Sequence, residues 1–163
     1  MGALALWLAR PNGLSLFLSL PLVLCGEALR IWASGHIEKT RRLATGGPYA
    51  HTRNPLYVGS LLLALGFATA SASSWVVLAV AAYFLAFYPS VIREEAAFLQ
   101  RAFPEDYSLW ARDVPLFVPR IDPAGPRATR FDWSRVRANR EWRTALAIPV
   151  VAALLWARRW LAP

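Results

Sequence analysis

Cysteine is almost missing. Cys25 is the only one in 163 residues, so no internal disulfide can form and the chain carries no signature of a redox compartment. Set in an apolar stretch, that thiol reads as a small buried hydrophobe. No Lys or Arg precedes the apolar run Ala3 to Ala9, and the residues before Cys25 are large. Both facts argue against a cleaved leader or a lipidation site, and the segment is kept as part of the fold. There is no internal repeat, no low-complexity segment and no glycine-rich dinucleotide turn. No metal-ligating constellation is read either. The longest absence is of charge: none occurs from Asn54 to Ile92.

That charge-free stretch is too long for one crossing. As a single helix its roughly 39 residues would reach about 58 Å, against a hydrocarbon core of about 30 Å. It must fold back, and Ser71-Ala72-Ser73-Ser74 is the natural break for a tight helical hairpin. Along the first arm Gly59, Gly66 and Ala70 recur at spacings of seven and four, leaving a face small enough for close helix contact.

What is present agrees with a membrane setting. The chain is 56% hydrophobic, has eight Trp and a positive mean hydropathy, as expected of a single membrane-embedded domain over residues 1–163. The formal charge of +8 fits basic loops against anionic headgroups better than nucleic acid, which is set aside as a partner. The expected architecture is all-α and integral to the membrane, with about four transmembrane helices near residues 13–33, 55–70, 75–91 and 143–160. Glu27 and Arg30, three apart on the first, are expected to pair or to sit near the interface. Trp142, Trp156 and Trp160 bracket the last span with arginines, in the manner of an interfacial belt, and Trp133 reads as a further anchor.

Two polar sections flank the hairpin: Ser34 to Arg53, with Lys39, Arg41 and Arg42, and Arg93 to Arg143, with ten arginines. A hairpin puts both on one side of the membrane, and the positive-inside rule makes that side cytoplasmic. The Pro-rich stretch Val114 to Pro126 reads as an extended strap. At the mouth of the hairpin, Gly46-Gly47-Pro48 forms a turn and Pro55 suits the first turn of a helix. The free N–H groups of that helix point toward His51, Arg53 and Asn54. Alone, the cluster is equally an anion clamp or a helix cap with a snorkelling arginine. Glu94 and Glu95 at the exit of the second arm favour the clamp, because adjacent helical residues point about 100° apart and one carboxylate can face a pocket under the Arg53 turn.

Gly47-Pro48-Tyr49, then Arg53-Asn54-Pro55-Leu56-Tyr57-Val58-Gly59, then Glu94-Glu95, Leu99, Phe103, Tyr107 and the strap from Val114-Pro115 to Val118-Pro119 form an ordered set. Together they resemble the isoprenylcysteine carboxyl methyltransferase and phospholipid methyltransferase superfamily over about residues 35–120. The resemblance implies a membrane enzyme that uses S-adenosylmethionine and methylates a hydrophobic, lipid-like acceptor reached from the bilayer. It implies a cofactor pocket built by cytoplasmic polar loops from Tyr49, Arg53, Asn54, Tyr57, Gly59, Glu94 and Glu95. Arg53 and the helix N-terminus suit the methionyl carboxylate, a glutamate suits the amino group or ribose hydroxyls, and Gly59 leaves room for a ligand. It does not divide those jobs between the two glutamates. Arg53, Glu95 and His51 are the candidate catalytic residues.

The chain departs from the family pattern at Asn54, where many members have histidine, at Pro104 (glycine), at Trp110 (tyrosine) and at Leu116 (arginine). Asn54 can donate and accept hydrogen bonds but cannot titrate. Arg112 and Arg120 are the candidates to replace the lost strap cation. Methyl transfer is an in-line displacement that needs alignment, desolvation and a lone pair. A carboxylate acceptor is already deprotonated, whereas an ammonium headgroup needs a base, for which His51, His36 and the glutamates are the choices. Tyr83, Phe84, Phe87 and Tyr88 fall at helical spacing and suit either an acyl or prenyl tunnel or a lipid-facing surface. Two other function classes compete: a non-catalytic basic membrane scaffold and an NADPH-dependent membrane reductase. The oligomeric state is not legible.

Overall fold

The computed structural model describes residues 2–38, 42–125 and 130–161. Lys39, Arg41 and Pro126 lie outside the described residues. Among the described residues seven α-helices follow one another: α1 (Gly2–Leu8), α2 (Gly13–Ser34), α3 (Pro55–Ser71), α4 (Ser74–Ala102), α5 (Pro104–Asp113), α6 (Trp133–Ala138) and α7 (Trp142–Leu161). A short 3-10 turn, Gly47–Ala50, precedes α3. Among the described residues the only extended pairing is an isolated antiparallel bridge between Glu38 and Arg42. The all-α expectation is met.

Among the described residues two helices, α2 with 22 residues and α4 with 29, are long and apolar enough to cross a membrane, and α3 is a shorter apolar helix. Their large side chains point outward: Leu14, Phe17, Leu24, Leu78 and Leu85 are all exposed, as expected where lipid is the solvent. Cys25 is on that outward surface too, which corrects its reading as a buried hydrophobe.

The hairpin turns at the expected serines. Helix α3 ends at Ser71, Ala72 takes a left-handed conformation (φ 48°) and α4 starts at Ser74. The Ser71 hydroxyl donates to the Ala68 carbonyl, and the Ser73 N–H donates back to the Ser71 hydroxyl. The second arm does not stop near residue 91. It continues through Pro89 and past Glu94 and Glu95 to Ala102, so both glutamates sit on a continuous helix.

The small face of α3 packs on α2. A Cβ on Gly59 would lie 2.6 Å from Arg30 Cγ and 2.8 Å from the Gly26 carbonyl, and one on Gly26 would lie 2.9 Å from the Gly59 carbonyl. The two helices therefore meet backbone to backbone, the arrangement that small residues permit in lipid. Gly59 supplies helix contact rather than space for a ligand, a correction that follows from its facing α2.

Arg30 does not pair with Glu27. Its Nε donates to Glu141 Oε1 at 2.7 Å, and its two terminal nitrogens reach Ser60 and Leu56 on α3 and Thr144 on α7. This buried cluster fastens α7 to the α2–α3 pair. Both Glu27 oxygens are buried without a hydrogen-bond partner among the described residues.

At the polar end of α2 and α4, a core of Ala33, Leu43, Tyr49, Tyr107, Trp110 and Val114 packs together. Trp110 is 1% exposed, and its Nε1 donates to the Tyr49 carbonyl at 2.9 Å. A tryptophan replacing the family tyrosine is thus a core residue here.

Candidate active site

The site is built on the turn that leads into α3. Gly47 adopts φ 57° with its Cα against the His36 ring, where a Cβ would lie 2.4 Å away. Only glycine fits both the backbone and the space. The chain then runs through Tyr49 to Asn54, and Pro55 opens α3 at a position where no N–H is needed.

The strap is stitched to this turn along its length. Arg53 N–H donates to the Pro115 carbonyl (2.9 Å), Arg120 N–H to the His51 carbonyl (2.9 Å) and Ala124 N–H to the Ala50 carbonyl (2.9 Å). Side chains add to it: Thr52 Oγ1 donates to the Phe117 carbonyl and Asn54 Nδ2 to the Leu116 carbonyl. At Leu116, then, the backbone carbonyl is what the site uses. The strap buttresses the turn from behind.

Under the turn lies a cavity of about 500 Å³ whose wall includes Glu38, Arg42, Tyr49, Arg53, Leu56, Glu95, Leu99, Phe103 and Trp110. Three of the residues nominated from the sequence therefore converge here: Tyr49, Arg53 and Glu95. None of the strap residues Val114 to Gly125 lines it. Arg53 Nη1 donates to the Tyr107 hydroxyl at 3.1 Å, with the guanidinium 6.0 Å from that ring centroid. Its Nε is buried and has no hydrogen-bond partner among the described residues. Glu95 is held from α3: the Tyr57 hydroxyl donates to Glu95 Oε2 at 2.8 Å. Burial first, then the nearby Glu95 carboxylate, holds the Tyr49 phenol well above its ordinary pKa, so it stays a neutral hydroxyl.

The other nominated residues lie elsewhere. Glu94 is exposed on α4 and does not line the cavity. Asn54 is buried, with its amide committed to the strap. His51 is also outside the wall; its Nδ1 is 2.9 Å from the Arg120 carbonyl. A carbonyl only accepts, so Nδ1 carries the proton and His51 acts as a strap anchor. Arg120 in turn gives Nη1 to the Asp113 carbonyl.

Sequence reasoning missed Glu38, Tyr107 and the cavity role of Arg42. Tyr107 was visible as part of the ordered motif, and its hydroxyl is what orients Arg53. Glu38 Oε2 also accepts from Arg135 at 3.3 Å.

A second cavity, about 630 Å³ and apolar, lies between α1, α3 and α4, with Ser60, Tyr83, Phe84 and Tyr88 in its wall. Phe87, grouped with these aromatics by sequence, does not line it. Tyr57 stands between the two cavities, bonded to Glu95 on one side and meeting the Tyr88 ring edge-on at 5.3 Å on the other.

A family model described as phospholipid methyltransferase matches residues 14–106, more than half of the chain. The chain belongs to the phospholipid methyltransferase family. Within that family's matched region fall α2 from its second residue on, the Arg53 turn, the hairpin and both glutamates. The chain is 43% identical over 94 residues to the cobalt-zinc-cadmium resistance protein CzcN of Cupriavidus metallidurans, covering 56% of this chain and 43% of the relative. It is 36% identical over 142 residues to the nickel-cobalt-cadmium resistance protein NccN of Alcaligenes xylosoxydans xylosoxydans, covering 81% and 65%. The chain thus spans less than two thirds of the length of either relative. No solved structure matches it. Family membership together with two spanning-length apolar helices makes this phospholipid methyltransferase relative a membrane protein.

Proposed function

We propose that the chain is an S-adenosylmethionine-dependent methyltransferase acting on a lipid-like acceptor, either an isoprenylcysteine-type carboxylate or a phospholipid amine, at the cytoplasmic face of the membrane. The observation that carries this reading is the convergence in one cavity wall of Glu95 and Arg53, whose Nε is buried with no hydrogen-bond partner among the described residues. A buried donor without a partner costs about 1–3 kcal/mol, and an arriving carboxylate relieves it. The donor set fits the cofactor: Arg53 for the methionyl carboxylate, Glu95 for an ammonium or ribose hydroxyl, and Leu99, Phe103 and Trp110 as an apolar wall for a purine. The volume is within the usual range of small-molecule sites.

When bound, the cofactor supplies an electrophilic methyl group on sulfur. The residues of the chain bind and align: Tyr107 orients Arg53, Tyr57 orients Glu95, and Tyr49 offers a neutral hydroxyl. Displacement needs the acceptor lone pair in line with the methyl–sulfur bond, and alignment is the main contribution expected of the protein. The apolar cavity behind Tyr57 suits the acceptor's hydrocarbon chain, which would bring its head past Tyr57 toward Glu95. The four-span arrangement, with α3 and α7 crossing beside α2 and α4, belongs to the same proposal. So does the cytoplasmic placement of the Arg53 end, which follows from positive-inside bias.

The relatives' names suggest a setting in tolerance of cobalt, zinc, cadmium or nickel, served through methylation. Growth of a deletion strain on these ions, complemented by the wild-type chain or Arg53→Ala, tests that setting.

Calorimetric titration of the detergent-purified chain with S-adenosylmethionine and S-adenosylhomocysteine, with NADPH as control, tests the function. Saturable binding of the first two supports it. Binding of NADPH alone would favour the reductase, and no binding by a folded protein would favour the scaffold.

A further inference from the structure

A cavity of about 800 Å³ lies at the other end of the bundle, where α3 turns into α4. Helix α3 runs 17 residues from Pro55 to Ser71, roughly 25 Å at 1.5 Å per residue, which separates this cavity from the Arg53 site by most of a bilayer core. It is lined by Arg10, Arg158 and Arg159, together with Trp7 and Trp75, and by no acidic residue among the described ones.

Each arginine is placed by the fold. Arg158 donates through Nε to the Leu6 carbonyl and through Nη2 to the Trp7 carbonyl, both at 3.3 Å, at the carbonyl end of α1. Its Nη1 is left over. Arg159 lies over the Trp156 and Trp160 rings at 5.5 and 5.7 Å. The main chain at Arg10 is held to the α3–α4 turn by its N–H, which donates to the Ser71 carbonyl at 2.8 Å. Neither ion pair among the described residues involves any of the three, since these are Arg30–Glu141 and Arg135–Glu38.

Among the described residues no carboxylate faces these three arginines in the cavity wall, so an anion that enters is attracted by all of them. Their location sharpens the point. The Arg53 turn and this cavity are at opposite ends of α3, so both basic clusters cannot lie on the side that positive-inside bias favours, whichever way the chain is inserted. Trp7 and Trp75, exposed at the rim, mark the depth of the headgroup layer. At that depth the abundant anion is a lipid phosphate, and guanidinium groups match phosphate oxygens in paired hydrogen bonds.

We propose that this cavity is a binding site for the phosphate headgroup of an anionic phospholipid, held by Arg10, Arg158 Nη1 and Arg159 with Trp7 and Trp75 against its glycerol region. The site is separate from the methyl-transfer reading and does not depend on it.

Native mass spectrometry of the full chain, released from micelles containing equal phosphatidylglycerol and phosphatidylcholine, tests it. The wild type should retain phosphatidylglycerol about 10-fold over phosphatidylcholine, and Arg10→Gln/Arg159→Gln should lower that ratio about 10-fold. Arg10→Lys/Arg159→Lys should keep most of it, and Arg112→Gln, at the other end, should change nothing. Equal retention of the two lipids by the wild type overturns the proposal without recourse to any variant. Displacement of phosphatidylglycerol by millimolar inorganic phosphate overturns it in favour of a free-anion site.

Discussion

The Tyr57 hydroxyl donates to Glu95 Oε2 at 2.8 Å, joining the first turn of α3 to α4 at the edge of the Arg53 cavity. The bond fixes a carboxylate that would otherwise swing in solvent, since Glu95 is exposed. Tyr57→Phe keeps the ring contact with Tyr88 and removes only this bond. A hydrogen bond to a charged group contributes about 1.5–3 kcal/mol, less when partly exposed, so S-adenosylmethionine affinity should fall about 5-fold to 10-fold. Calorimetry with unchanged thermal stability checks it; unchanged affinity would leave Tyr57 without a positioning role.

Arg53→Ala removes the buried, partnerless Nε along with the group that Tyr107 orients. Cofactor affinity should drop about 10-fold to 100-fold, as expected for a lost charge-assisted contact. Glu95→Ala should drop it by a similar factor, and Glu94→Ala should leave it within about 2-fold, because Glu94 does not line the cavity. Equal losses at both glutamates would show that the wall is drawn wrongly.

His51 is bonded to the Arg120 carbonyl through Nδ1 and stands outside the cavity wall. His51→Ala should therefore leave cofactor affinity unchanged from pH 6 to 9, while loosening the strap. Hydrogen exchange at Arg120 and Ala124, whose N–H groups bond to the turn, reports the loosening. A loss of methyl transfer that high pH restores would instead mark His51 as a base.

Gly59 and Gly26 hold α2 and α3 in backbone contact. Gly59→Leu would drive a side chain into Arg30 and separate the helices, costing about 1–3 kcal/mol or more. The melting temperature in detergent should fall, and any cofactor effect should track that fall. A specific loss of cofactor affinity with normal stability would return Gly59 to the binding site.

Two helix boundaries were legible because composition changes there, the break at Ser71 to Ser74 and the end of α2 near Ser34, whereas the end of α4 at Ala102, well past the expected stop near residue 91, was not. The ordered motif also located Arg53 and Glu95. Partners across the fold were not legible. Nothing local says that Arg30 reaches Glu141, 111 residues away, instead of Glu27 three residues away, because helical spacing only makes a neighbour available. The same holds for Asn54 and His51, polar residues in a motif that the strap claims through carbonyls with no side-chain signature.

Arg30 and Glu141 form the buried pair that ties α7 to the rest, with side chains 18% and 6% exposed. Breaking such a pair from one side costs about 3–5 kcal/mol, because a charge stays behind. Here the two sides are not equivalent. Glu27, within electrostatic reach of both, has its oxygens buried and without a hydrogen-bond donor. Glu141→Gln leaves Arg30 facing Glu27, a compensating carboxylate, so the loss should be at the low end. Arg30→Met leaves two carboxylates and no cation, and should cost the most. The double variant Arg30→Met/Glu141→Leu should recover part of that loss but not all of it, since Glu27 then remains alone. Thermal unfolding in detergent orders the three. Equal losses for the two single variants would mean that Glu27 does not interact with the pair, whereas full recovery in the double variant would mean that it is already neutral.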